Sequence, residues 1–145
     1  MRKEEFYFDS VCNTNKIHAV KWVPEGTPLC IVQIVHGMSE YIERYEEFAA
    51  FLTERNILVV GEDHLGHGKS MGDNPPGYFC KEQPHKVLVE NVHILKDMIK
   101  KNIRMSRMWY LGTAWVRLLP VIFYIIMVQR LTVLSFVGPV CFQNH

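Results

Sequence analysis

Short apolar runs alternate with amphipathic stretches over most of the chain, and they predict strands and helices in turn. Strands are predicted at residues 6–9, 16–23, 30–35, 57–60 and 109–111. The run at 30–35 is almost continuously apolar, which is typical of a strand covered on both faces. Polar residues at 12–15 separate the first two strands and indicate a hairpin.

Two amphipathic helices are predicted between these strands. In the first, at residues 43–55, the apolar positions that recur at helical spacing are Tyr45, Phe48, Ala49 and Leu52. The second follows a loop marked by prolines and glycine at 75–77, and its apolar stripe contains Val87, Val92, Leu95, Met98 and Ile99. Strands that alternate with helices predict an α/β fold, with a mostly parallel sheet and helices on both faces.

Composition changes sharply at Gly112. Before this residue, charges of both signs are mixed with apolar residues, and Asp97 is the last acidic residue of the chain. Between Thr113 and the end, only Arg117 and Arg130 carry a full charge. The change predicts a boundary, with 1–112 as part of an α/β core and 113–145 as a hydrophobic tail of different origin.

Charge and cysteine usage narrow the classes of function. A formal net charge of +1 argues against nucleic acid as a partner. The cysteines at positions 12, 30, 80 and 141 form no Cys-x-x-Cys pair, so we expect four reduced thiols in a cytoplasmic protein. Residues 1–8 contain no apolar segment of the kind found in signal peptides.

Two glycine-containing turns follow predicted strands, at the edge where open α/β sheets bind ligands. In the second turn, Gly68 followed by Lys-Ser resembles part of a P-loop, but the glycine required five positions earlier is Asp63. His64 and His67 flank the same turn without a third metal ligand at suitable spacing. We therefore expect locally hydrogen-bonded histidines and no metal ion.

Together the two turns resemble the lysophospholipase and monoacylglycerol-lipase branch of the serine α/β-hydrolases, often grouped with serine aminopeptidase-like hydrolases. They read His-Gly-Met-Ser-Glu at 36–40 and Asp-His-Leu-Gly-His-Gly-Lys-Ser at 63–70. The resemblance covers residues 6–112 and implies hydrolysis of a small lipid or ester by a Ser-His-Asp triad. It implies no cofactor, because this hydrolysis needs only water. Asn91 departs from the pattern, since an acidic residue is expected there.

The resemblance also implies roles for particular residues. The backbone N–H of Met38 would be one donor of the oxyanion hole, and the other would follow the nucleophile. His36 would brace its loop rather than transfer protons. Structural roles are implied for the other motif residues, which are Gly37, Glu40, Asp63, Gly66, His67 and Gly68. For the first turn alone, an ordinary strand-to-helix connection remains the alternative.

The catalytic residues of such an enzyme are missing. A Gly-x-Ser-x-Gly elbow is expected after the last strand, but residues 111–116 read Leu-Gly-Thr-Ala-Trp-Val. The acid and base of this fold follow the serine, yet after Gly112 there is no acidic residue and the only histidine is His145. No triad can be assembled in the family's order, so we expect the chain to be inactive as written.

The codons across the boundary at Gly112 indicate why the nucleophile elbow is missing. Read one nucleotide earlier, each codon takes its first base from the preceding residue. Over residues 111–116 this neighbouring frame permits Gly, His, Ser and Met in turn, and Trp115-Val116 fixes the next codon as Gly. The frame can therefore spell Gly-His-Ser-Met-Gly where the elbow is expected. We hypothesise a one-base frameshift near Leu111, real or introduced by sequencing.

A membrane-anchored or binding module is the alternative function. Residues 118–137 are strongly apolar and close to the length that spans a bilayer. However, Pro120, Gln129 and Arg130 interrupt the run, and a central charge costs about 2.5–3.5 kcal/mol on insertion scales.

Self-association or aggregation is expected for an incomplete sheet. Half of a doubly wound sheet leaves its last strand unpaired and apolar helix faces uncovered.

Overall fold

A single five-stranded sheet organises the computed structural model, which describes residues 1–12, 15–103 and 107–112. The strands are β1 (Arg2–Asp9), β2 (Lys16–Val23), β3 (Cys30–Val35), β4 (Ile57–Glu62) and β5 (Met108–Gly112). The helices are α1 (Glu46–Thr53) and α2 (Pro84–Asn102), with short 3-10 turns at Ile42–Tyr45 and Gly68–Ser70. The sequence-predicted tail at 113–145 lies outside the described residues.

The strands follow the order β1-β2-β4-β3-β5, and the sheet is mixed. β1 and β2 form an antiparallel hairpin, and β2 is also antiparallel to β4. β3 lies parallel to both β4 and β5. The parallel pairing is therefore confined to β4, β3 and β5, because the N-terminal hairpin contributes both antiparallel pairings.

Helices cover both faces of the sheet, as predicted. The core on the α1 face contains Val20, Trp22, Ile34, Ile42, Ala49 and Val59. The core on the α2 face includes Ile17, Ile31, Leu58, Val60, Leu95 and Ile99. Because successive side chains of a strand point to opposite faces, Val59 packs towards α1 while its neighbours Leu58 and Val60 pack towards α2. The α/β class is confirmed.

The boundaries of β4 and of the first helix differ from the predicted ones in ways that shape the fold. β4 continues past Val60 to Glu62, through a glycine whose added Cβ would collide with the Ile42 side chain. The predicted first helix divides into the Ile42–Tyr45 3-10 turn and α1, and the chain then reverses at Asn56 with φ of 55°. Close packing of Ile42 on Gly61 thus sets where β4 and α1 approach each other.

The expectation of four reduced thiols is wrong. Cys12, after β1, and Cys80, before α2, form a disulfide with their Cα atoms 6.6 Å apart. The fold brings them together across a sequence separation of 68, which their spacing in the sequence could not indicate. Cys30 is free, and Cys141 lies outside the described residues. The cytoplasmic location, which rested partly on reduced thiols, stays a prediction.

The apolar segment at 118–137 also lies outside the described residues. Within the part of the chain that the structure describes, no helix is both long enough and apolar enough to cross a membrane.

Candidate functional site

The two sequence motifs meet at the carboxyl ends of β3 and β4. These parallel strands are paired up to Ile34 and Gly61, so the chain leaves the sheet at the same edge in both places. The segments that follow, residues 36–40 and 63–70, are called the corner below. The corner contains every site residue that the sequence predicted.

Asp63 holds the corner together from a buried position. One carboxylate oxygen, Oδ1, accepts a hydrogen bond of 2.7 Å from the backbone N–H of Ile42. The other, Oδ2, accepts one of 2.9 Å from the N–H of Lys69 and lies 2.8 Å from His18 Nδ1. Asp63 thus ties its own turn to the entry of the first helix and to β2.

The glycines of the second turn are required by its shape. Gly68 has φ of 47°, and a Cβ there would collide with the Asp63 carboxylate. Gly66 has φ of 73°, and a Cβ there would collide with the backbone of Tyr78. Glycine adopts positive φ without strain and has no Cβ to collide at either position, so both glycines allow the turn to close around Asp63.

His36 is fully buried, and both of its ring nitrogens are occupied. Nδ1 donates to the Gly37 carbonyl at 2.8 Å, and Nε2 accepts from the backbone N–H of His64 at 3.0 Å. This assignment of the tautomer follows from the hydrogen-bond network. Burial, with a smaller contribution from His64, lowers the pKa of His36 to about 3. A neutral ring with both nitrogens engaged can brace the loop but has no lone pair free for proton transfer.

His64 and His36 are joined by a second hydrogen bond, in which the His64 side chain is the donor. Its Nε2 donates to the His36 carbonyl at 3.1 Å, and burial lowers the pKa of its ring to about 4. The His36 and His64 ring centroids are 4.0 Å apart, and His67 lies 5.3 Å from His36. His67 Nδ1 donates to the Leu65 carbonyl at 3.0 Å. The three rings form a packed cluster that joins the two halves of the corner.

Glu40 shapes the first turn. Its Oε2 accepts hydrogen bonds from the Gly37 N–H at 2.7 Å and from the Tyr45 hydroxyl at 2.8 Å. Between Gly37 and Glu40 the backbone turns through Ser39, with φ of 61°. The Met38 side chain is exposed, and no hydrogen bond within the described residues takes its backbone N–H. The loop therefore presents an open amide at the end of β3.

Glu62 is a buried acid that sequence reasoning missed. Its neighbour Gly61 packs on the α1 side, so the Glu62 side chain points into the α2 side. Neither carboxyl oxygen has a hydrogen-bond partner among the described residues, and neither does Nδ1 of His64, 3.7 Å from Oε1. Burial, and then the nearby Asp63 charge, raise the pKa of Glu62 well above its usual value. Burial beside the corner therefore favours the uncharged form of Glu62.

Lys69 does not present a free charge for a phosphate. Its Nζ lies 2.8 Å from Glu5 Oε2 and 3.3 Å from Glu43 Oε1. Glu5 also lies 3.1 Å from Nε2 of His18, and its pKa is lowered to about 2 by the hydrogen bonds from Lys69 and His18. The geometry agrees with the spacing argument against a P-loop.

No group of three or more His, Cys, Asp or Glu side chains within residues 1–12, 15–103 and 107–112 is arranged to bind a metal ion. The expectation of a site without metal or cofactor stays a prediction.

Comparison with known proteins decides the family. The sequence profile of the serine aminopeptidase S33 family matches residues 26–115, more than half of the chain and the whole of the corner. The chain belongs to this family. The family predicted from the two turns is therefore confirmed.

This S33 chain is similar to lipases and esterases over part of their length. It is 44% identical to human monoglyceride lipase over 52 residues, which cover 36% of this chain and 17% of that protein. A carboxyl esterase from Bacillus coagulans superposes with a TM-score of 0.69 at 25% identity, over 76% of this chain and 36% of the esterase. A soluble variant of monoglyceride lipase from Saccharomyces cerevisiae superposes with a TM-score of 0.61 at 15% identity, over 79% of this chain and 34% of the lipase. This similarity shows the fold alone.

The S33 corner also depends on residues that carried no sequence signal. His18 lies in the middle of β2, yet its buried ring meets Asp63 across a separation of 45 residues. Glu62 ends a strand, where an acidic residue ordinarily faces water. Hydrophobic periodicity alone cannot distinguish such buried polar side chains from exposed ones. A charged residue at a strand position that should face the core is nevertheless a sign of a buried polar role.

Proposed function

We propose that this chain is the N-terminal part of a serine hydrolase of carboxylic esters. In its intact form, we propose, the enzyme acts on a monoacylglycerol, a lysophospholipid or a small ester. The observation that carries this proposal is the open Met38 amide, held at the end of β3 by the Glu40 and His36 contacts. Family membership and the similarity to human monoglyceride lipase support the same chemistry.

The Met38 amide would stabilise negative charge on the substrate carbonyl. Esters react through a tetrahedral intermediate, and backbone N–H groups aimed at its oxygen lower the barrier. The second donor of this fold follows the nucleophile. β5 supports that placement, because its last residue, Gly112, pairs with Val35 immediately before the corner. An elbow after Gly112 would leave the sheet beside Met38, so the two amides could converge.

We further propose that the chain is inactive as written and that its reading frame shifts near Leu111. Thr113 stands where the resemblance requires the elbow, and no acid follows Gly112. Residues 1–112 would then be the genuine core segment, and residues 113–145 an out-of-frame tail. The neighbouring frame supports this, since it can spell Gly-His-Ser-Met-Gly across the boundary.

A covalent probe tests the activity directly. The full 145-residue chain is treated with a fluorophosphonate and assayed with a monoacylglycerol and a p-nitrophenyl ester. We expect no labelled serine and no hydrolysis above buffer. The positive control is the repaired chain, in which the neighbouring frame is restored after Leu111, and it should be labelled at the elbow serine. Stoichiometric labelling of the chain as written would refute its inactivity.

Two variants of the repaired chain test the Met38 amide. Met38→Pro removes the N–H, whereas Met38→Ala keeps it and is the matched control. Loss of one oxyanion donor lowers kcat by about 10²–10³-fold, so we expect that loss in the proline variant alone. Equal kcat values for folded forms of both variants would exclude Met38 as a donor.

A further inference from the structure

We propose that Cys12 and Cys80 form a thiol-disulfide modification site that fastens a loop against the corner. The loop comprises residues 71–83 and is called the Cys80 loop. The proposal does not depend on ester hydrolysis, because it concerns the covalent state of two cysteines and the position of that loop. It rests on where the disulfide joins the molecule and on what the loop contacts.

Cys12 is the fixed end of the disulfide. Its backbone N–H donates to Ser10 Oγ at 3.3 Å, in the turn that follows β1. Asn91 of α2 grips the same turn, donating to Ser10 Oγ at 3.2 Å and accepting from the Val11 N–H at 3.1 Å. The sheet and α2 therefore hold Cys12 in place whether or not the disulfide is present.

Cys80 lies in the second half of its loop, where the disulfide adds a covalent restraint to the packing of Phe79 and Cys80 on the core. The first half is fastened by two hydrogen bonds to carbonyl oxygens, from the Gly77 N–H to Gly66 at 2.8 Å and from the Asn15 side-chain Nδ2 to Met71 at 3.2 Å. The second half, residues 78–83, carries the disulfide and ends at Gln83 with φ of 47°, where α2 begins. Breaking the disulfide should therefore loosen residues 78–83 more than residues 71–77.

Phe79 connects this half of the loop to the corner. Its ring centroid lies 5.5 Å from that of His67, which in turn lies 5.3 Å from His36. Because Phe79 directly precedes Cys80, release of the disulfide removes the covalent restraint beside the Phe79 ring, which then keeps its place only through its packing on the α2-face core and on His67. Both cysteines are half-buried, so a small thiol can reach them. The redox state of the pair would thus set how firmly the corner is covered.

The reaction is an ordinary thiol-disulfide exchange. The thiolate of a small thiol such as glutathione attacks one sulfur of the pair, forming a mixed disulfide and releasing the other cysteine as a thiolate that takes up a proton. A second thiolate then attacks the mixed disulfide. The protein gains two thiols, and two molecules of the small thiol are oxidised to one disulfide. Oxidised glutathione drives the same steps in reverse.

The test uses the full chain in oxidised and reduced glutathione buffers, with thiol titration and hydrogen exchange as readouts. Of the four cysteines, two should lose their free thiols on oxidation, and peptide mapping should locate them at Cys12 and Cys80. Reduction should accelerate amide exchange at 78–83 and at His67, with a smaller change at 71–77. It should also lower the Tm by about 10 °C, as expected when a long cross-linked loop is opened.

Variants separate this pair from the remaining thiols. Cys12→Ser should reproduce the reduced state in both buffers, whereas Cys30→Ser, the matched control at a free cysteine, should respond as the wild type does. Reduction of the wild-type chain needs no mutation, so the outcome does not depend on whether a variant folds. Four free thiols in the oxidising buffer, or equal exchange at 78–83 in both buffers, would overturn the proposal.

Discussion

At the residue scale, the corner depends on glycines that leave room for a carboxylate. Gly68 and Gly77 both have positive φ, of 47° and 77°, but a Cβ collides with Asp63 at Gly68 and meets nothing within 4 Å at Gly77. Gly77→Ala should therefore cost about 1–2 kcal/mol of unfolding free energy, from the left-handed backbone alone. Gly68→Ala should cost about 1–3 kcal/mol more, because it also displaces Asp63.

Urea denaturation of the two glycine variants provides the measurement. Equal losses would mean that the space beside Asp63 does not matter, and would contradict the role given to this carboxylate.

Buried titratable groups in and beside the corner respond to pH in opposite directions. The raised pKa of Glu62 contributes stability that is present below its unfolded value of 4.5 and is lost as pH rises towards the folded value. The lowered pKa values of His36 and His64 contribute stability that is present above 6.5 and is lost as pH falls towards about 3 and about 4. Between these two unfolded values the contributions oppose each other.

Glu62→Gln should separate the two effects. The variant should be more stable than the wild type at pH 8, with a gain that shrinks as pH falls to 5. In the wild type, folding above pH 4.5 must either protonate Glu62 or bury its charge, and glutamine removes that cost. Without the opposing contribution of Glu62, the free energy of unfolding of the variant should fall by about 1.4 kcal/mol for each of the two histidines on acidification to pH 5.5. That pH is one unit below the unfolded histidine pKa. Glu82→Gln is the exposed control. A stability gain that does not grow with pH would contradict the burial of an unpartnered Glu62.

The residues of the corner that could be predicted are those that lie close together in the sequence. The glycines and Asp63 are predictable because they stand close together in a motif that resembles the family's pattern, and the structure shows that the turn closes on the Asp63 carboxylate. His18 and Glu62 were not found, since their roles arise from β2 and β4 lying side by side. The separation of these residues in the sequence does not indicate that the two strands pair.

At the element scale, Asn91 joins α2 to the turn after β1. Its amide accepts from the Val11 N–H and donates to Ser10 Oγ, so both halves of the side chain are used. Asn91→Ala should lower the free energy of unfolding by about 1–3 kcal/mol, because it leaves the part-buried Val11 N–H without a partner. Asn91→Asp, the acidic residue expected from the family resemblance, retains the acceptor but loses the donor, and should fall between wild type and alanine.

Thermal unfolding of both Asn91 variants checks this order of stability. If the alanine variant matched the wild type, the amide would not be the link between α2 and the turn.

Strand and helix positions were predicted well where burial is strong. The apolar run at 30–35 became β3 without any change of boundary, because both faces of that strand are covered. β1 began earlier than predicted, at Arg2, since its first residues are charged and pair across the surface, as Lys3 does with Glu43 and Glu46. An edge strand with polar side chains on its exposed positions loses the alternation on which prediction relies.

At the scale of the whole molecule, β5 is one of the two edge strands of the sheet within the described residues, and β1 is the other. An edge strand offers unpaired N–H and C=O groups to another chain. Phe48 and Phe51 are exposed on α1, which adds apolar surface. We predict that the chain self-associates, so that size-exclusion chromatography with light scattering gives a dimer or larger species. A sharp monomeric peak over a tenfold range of concentration would contradict this.

The central claim is that a serine hydrolase core has been joined to an out-of-frame tail. The most direct measurement is the nucleotide sequence of the gene from the codon of Met108 to several hundred bases beyond that of His145. We predict that the neighbouring frame reads Gly-His-Ser-Met-Gly after Leu111 and stays open through a later Asp and His. A neighbouring frame that is closed, or that lacks the elbow, would show that the tail is native and would contradict the claim.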